Sequence, residues 1–143
     1  MILSAQQLFS DDQAITATAD STNVIDLRVP GTPYGAAAPL NDDVGKGAKI
    51  PLLIQITEAF DNLTTLEIIV STGATSALGT SILSQTIALA DLVVGKQVSF
   101  DVLPNDIIEQ YLGIEYVVVG SAPSVGKVTA GITMGVQTNV TGA

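Results

Sequence analysis

Along much of the chain, large apolar residues fall on every second position. Leu66, Ile68 and Val70 alternate with Glu67, Ile69 and Ser71, and Val98, Phe100 and Val102 alternate with Gln97, Ser99 and Asp101. The same period runs through Leu112, Ile114, Tyr116 and Val118, and through Val128, Ala130, Ile132, Met134 and Val136. A period of two puts apolar side chains on one face of a strand, as in antiparallel sheets covered on one side. Gly, Pro, Asn and Asp separate these stretches. The spacing predicts strands over 14–19, 23–28, 49–58, 65–72, 82–92, 97–103, 112–119 and 127–138. About eight short strands with regular turn signals make an all-β sandwich or barrel. Helix is expected only in short pieces, at 4–9 (SAQQLF) and at 104–112 (PNDIIEQYL), the latter capped by Asn105.

One stretch breaks the pattern. Residues 29–48 hold Pro30, Pro33 and Pro39 with Gly31, Gly35, Gly45 and Gly47, and show no alternation. They read as a long loop within a single domain spanning 1–143. A second anomaly lies on the strands themselves. Leu53, Ile69, Leu103, Val117 and Val119 are large and apolar on faces that should be wet. Several such residues on neighbouring strands would mark a partner surface.

Composition sharpens this picture. The apolar fraction is 47 % and only 13 % of residues are charged, against about 25 % in ordinary soluble domains. No apolar run approaches the ~18 residues of a spanning helix, and MILSAQQLFSDD has no basic or apolar leader region, so neither membrane insertion nor a secretory signal is expected. An apolar, charge-poor chain of this kind tends to cover surface in an assembly. The net charge is −9. Arg28, Lys46, Lys49, Lys96 and Lys127 form no basic stripe, so nucleic acid is not an expected partner.

The chain has no His, Cys or Trp. This excludes Ser-His-Asp and Cys-His catalysis and zinc-thiolate sites. Asp11-Asp12 and Asp42-Asp43 are adjacent pairs whose side chains diverge on a strand, and they read as turn residues rather than a catalytic dyad. Asp11, Asp12 and Asp20 lack calcium-loop spacing. Neither GKGAK at 45–49 nor GSAPSVGK at 120–127 has the order of a phosphate loop. No enzyme, metal or cofactor is expected. Ile2, Leu3, Leu8 and Phe9 are large apolar residues at a terminus that would ordinarily fray. With Tyr34 they are the candidate interface residues.

The most specific signal is the opening, MILSAQQLFSDDQAITATADSTNVIDL. Met1–Leu3, Gln7–Asp11, Ala14–Ala19 and Ser21–Leu27 resemble the N-terminus of the capsid cement proteins of tailed phages, of the kind found on a Bordetella podophage. Weaker similarity continues through 50–72 and in VTAGI at 128–132. The resemblance implies a jelly-roll sandwich that forms a homodimer. It also implies a partner, the major capsid protein of the tailed-phage fold, and a place on the outer surface of an icosahedral shell. It brings no catalytic residues. Residues 28–48 depart from the family pattern. Strand count alone leaves an immunoglobulin-like sandwich open. A carbohydrate-binding or adhesion module is the alternative function, although three Phe and three Tyr are few for sugar platforms.

Overall fold

In a computed structural model of the chain, residues 3–27, 30–31, 40–41, 49–101 and 109–134 are described. They form β1 (Leu3–Ala14), β2 (Ala19–Asp20), β3 (Ile25–Asp26), β4 (Pro30–Gly31), β5 (Leu40–Asn41), β6 (Leu52–Glu58), β7 (Leu63–Gly73), β8 (Thr80–Ala88), β9 (Gln97–Phe100), β10 (Tyr111–Gly120) and β11 (Lys127–Thr133). Among the described residues, one 3₁₀ turn covers Leu89–Asp91. No α-helix occurs among the described residues. Every strand pairing is antiparallel. One sheet runs β1-β11-β6-β9. The other runs β2-β10-β7-β8, with β3 also on β10.

The two sheets pack face to face because their alternating apolar sides match. Leu66, Ile68 and Val70 of β7 stand beside Val118, Tyr116 and Ile114 of β10. Across the core, Ile54 and Ile56 of β6 stand beside Ala130 and Val128 of β11. All but the half-buried Val118 are buried in one continuous cluster with Phe9, Ile15, Leu52, Leu92 and Leu112. Each large side chain so covered contributes about 1.5–3 kcal/mol.

One margin of this sandwich is stapled shut. Residues 19–26 run along β10 as a bent edge: Ser21 N–H donates to Ile114 O at 2.7 Å, and the Ser21 hydroxyl accepts from Ile114 N–H at 3.1 Å. At Thr22 and Asn23 the same segment turns to the other sheet. Asn23 donates its backbone N–H to Phe9 O at 2.9 Å and its side-chain amide to Leu8 O at 2.7 Å. Inside the core, the Ser10 hydroxyl of β1 meets the Tyr116 hydroxyl of β10 at 2.8 Å. Ser10 also donates to Gln13 at 2.7 Å. Gln13 in turn accepts from Thr22 N–H and donates to Asp20 O.

Several expectations are corrected. Residues 4–9 are strand, not helix. They pair with β11, and Phe9 is drawn into the core, so tertiary pairing overrides local preference. The strand expected at 14–19 is instead a bend at Thr16–Thr18 that carries the chain from one sheet to the other. Within 29–48, Pro30–Gly31 pairs with Leu40–Asn41. The rest of that loop, and 104–108 of the 104–112 region, lie outside the described residues. Tyr111 and Leu112 begin β10 rather than end a helix.

Burial pushes the Tyr116 phenol well above its usual range, and the Ser10 hydrogen bond offsets only part of this. The folded protein therefore keeps that proton after an unfolded chain would release it near pH ~10. The stability is whole below that pH and is lost as pH rises above it. In a pH series of thermal melts, the midpoint should fall steeply above about pH 10. Tyr116→Phe should flatten that alkaline limb, while lowering neutral-pH stability by about 1 kcal/mol through loss of the Ser10 partner. An alkaline limb unchanged in the variant would contradict the assignment.

Candidate interface surfaces

The sequence-derived interface residues do not share one surface. Phe9 is wholly buried in the chain's own core and has no area to offer a partner. Leu3 and Leu8 are half-buried on the outer side of the four-stranded sheet. They occupy the place where Gly131 lacks a side chain: a Cβ there would meet Leu8 Cδ2 at 2.9 Å and Leu3 Cδ2 at 3.4 Å. Ile2 and Tyr34 lie outside the described residues. Of the apolar residues expected on wet faces, Leu53 is covered and 1 % exposed. Leu103 lies outside the described residues. Ile69 and Val117 are half-buried on adjacent strands, in register with Glu115 and Glu67 respectively.

A different apolar surface emerges at one end of the sandwich, where the turns at 15–18, 59–62, 89–96 and 121–126 meet. Ile15 N–H donates to Gly126 O at 3.0 Å, Phe60 N–H to Leu92 O at 3.2 Å and Gly95 N–H to Ile56 O at 2.9 Å. Val93, Val94 and Val125 project from these turns with exposures of 52 %, 65 % and 44 %, and Val119 follows at the end of β10 with 46 %. Val93, Val94 and Val125 were invisible to periodicity because they stand in turns, whereas Val119 is one of the apolar residues expected on a wet face, and it is exposed. The only sign was the pair of large apolar residues in LVVGK, where a turn is usually polar.

Two carboxylates and a glycine hold this end rigid. Asp61 accepts from the backbone N–H groups of Ser124 at 2.6 Å and Val125 at 3.2 Å, and from the Ser124 hydroxyl. These bonds, the Ser124 hydroxyl first, hold its carboxyl below the usual range against a smaller opposing effect of burial. Asp12 sits in an irregular step of β1 with φ 47°. It accepts from Thr57 at 2.7 Å and Lys127 at 3.1 Å, which lower its pKa in that order. Gly126 has φ +137°, and a Cβ there would run into the Phe60 ring. Among the described residues no three His, Cys, Asp or Glu side chains gather as metal ligands. No helix among them is long and apolar enough to cross a membrane.

The opposite margin from the staple is the β8 edge. Among the described residues, β8 is hydrogen-bonded to β7 on one side only. Its residues, TSILSQTIA, include no charge and no proline. Thr80, Ser81, Ser84, Gln85, Thr86 and Ala88 are exposed.

The described residues form an antiparallel sandwich that exposes apolar side chains at one end. The chain belongs to the Bbp16 family, a Bordetella phage BPP-1 capsid protein family, whose sequence profile matches residues 9–132. No curated protein matches the sequence.

Two substitutions test the knitted end. Asp61→Ala should lower the melting midpoint at neutral pH. Because the folded carboxyl titrates below an unfolded one, the deficit should shrink as pH falls through the usual carboxylate range; a deficit independent of pH would argue against it. Gly126→Ala should cost about 1–3 kcal/mol in a denaturant titration, from the strained backbone and the crowding of Phe60 together. A change within about 0.5 kcal/mol would mean that the turn relaxes freely.

Proposed function

We propose that the chain is a capsid cement protein, binding the outer surface of an icosahedral tailed-phage shell and stabilising it. The family match across 9–132 carries this reading. The fold supports it. Lettering the main strands B to I in chain order, with 19–26 as the single bent strand C, one sheet reads BIDG and the other CHEF. That order supports reading the sandwich as a jelly roll, the double Greek key of many virion proteins. Residues 1–143 then act as one unit, with 29–48 as an excursion from it.

The partner is the major capsid protein, and the Val93, Val94 and Val125 end is the proposed foot. It is apolar, held by internal hydrogen bonds before any partner arrives, and so loses little freedom on docking. Leu3 and Leu8, with Ile2 and Tyr34, are proposed as further interface residues, toward the shell or a second copy of the chain. No step of this role requires catalysis, a cofactor, nucleic acid or a membrane. An acidic protein is also better placed outside the shell than facing packaged DNA.

A ligand that binds only the assembled shell stabilises that state by mass action. The protein should therefore co-sediment with empty expanded shells, ignore free capsid subunits, and raise the temperature at which shells rupture. Val94→Asp should weaken attachment at least tenfold without altering the fold seen by circular dichroism. Equal binding to free subunits, or an unchanged rupture temperature, would overturn the cement reading.

A further inference from the structure

The staple closes one margin of the sandwich, and at the other no described residue pairs with the outer edge of β8. Natural edge strands are usually guarded by charge, proline, shortness or cover. β8 is nine residues long and has no charged residue or proline. Its one irregularity is a register shift beside Val70 and Ser71, which leaves 83–88 in regular pairing. A long regular edge of this kind is a template for another strand.

The sequence of the edge specifies which strand. Leu83, Gln85 and Ile87 face inward, in register with Val70, Ile68 and Leu66. Ser84 and Thr86 face outward, in register with Ile69 and Glu67. About Gln85 the pattern is a palindrome: apolar Leu83 and Ile87 flank it on the inner side, and hydroxyl-bearing Ser84 and Thr86 flank it on the outer side. An antiparallel strand related by a two-fold axis through Gln85 would oppose Leu83 to the partner's Ile87 and Ser84 to the partner's Thr86. Gln85 is polar and exposed at an inward position. On the axis its amide can both donate to and accept from the same group of the other copy.

Charge favours the same occupant. Each copy carries −9, so two copies repel wherever both present acids. The β8 edge presents none. We propose that two copies of the chain associate through β8, edge to edge about a two-fold axis at Gln85, joining their five-stranded sheets into one. This rests on the homodimer implied for a cement protein and names its surface. The contact is isologous and closes on itself, so it yields a dimer rather than a filament.

The chain has no native cysteine, so single-cysteine variants report the register directly. Under mild oxidation Gln85→Cys should give a disulfide-linked dimer, since directly opposed residues on antiparallel strands bring Cβ atoms within about 4.5–5.5 Å. Val94→Cys, exposed at the valine end, should not. By light scattering at micromolar concentration the wild-type protein should show about twice 14.6 kDa. Gln85→Lys, which sets two like charges face to face, should dissociate at least tenfold more readily with an unchanged circular dichroism spectrum. Added salt should strengthen the wild-type dimer, because it screens the repulsion of two acidic chains without weakening an uncharged seam. A monomer at every concentration would overturn the proposal. So would a dimer left intact by Gln85→Lys, or cross-linking as ready at 94 as at 85. These readings are made without shells. A monomer that still sediments with shells defeats this seam and leaves the cement role standing. A cross-linked dimer that ignores shells does the reverse.

Discussion

The hydrogen bond between Ser10 and Tyr116, 2.8 Å long and inside the core, ties the two sheets by something more specific than apolar contact. A tyrosine hydroxyl buried without a partner would be strongly unfavourable. Tyr116 therefore fixes where β1 must lie, and Ser10 passes that constraint outward. Its bond to Gln13 positions the amide that holds Thr22 and Asp20, and from there the segment returns to the backbone of Phe9 and Leu8. The loop of polar contacts starts in the core, reaches the surface and comes back to the strand where it began. Sheet-to-sheet distance, the position of β1 and the path of 19–26 are set together.

This accounts for where the family signature lies. Ser10, Gln13, Ser21, Thr22 and Asn23 fall within the opening that resembles the cement proteins, and each holds the closed margin through its side chain. They are small polar residues whose value lies in the partner each meets. An apolar pattern carries no trace of such pairings.

The central strands were legible for the opposite reason. Leu66, Ile68, Val70, Leu112, Ile114 and Tyr116 alternate without interruption because β7 and β10 pair in unbroken register along most of their length. β1 was not legible. Its pairing with β11 shifts register three times, at Leu3/Leu8, Leu8/Ser10 and Ser10/Gln13, and each shift resets which face a residue occupies. LSAQQ therefore shows neither period, and its good helix formers decided the reading. Phe9, a large apolar side chain near a terminus, looks unclaimed until that strand is in place and carries it into the core. Val93, Val94 and Val125 were not legible because the surface they form depends on which turns the fold brings together, which no local pattern records.

In a sandwich whose strands all run antiparallel to their neighbours, successive connections leave by alternate ends. The turns at 15–18, 59–62, 89–96 and 121–126 share one end, so Leu27 and Lys49 stand at the other. The two ends are thus separate in mutational terms. The chain between Leu27 and Lys49 can lengthen, shorten or change composition while the hydrogen bonds of Asp61, Gly126 and Phe60 keep their partners. Under the proposed cement role, a foreign peptide spliced into the same place would ride as a passenger, carried once for every copy bound.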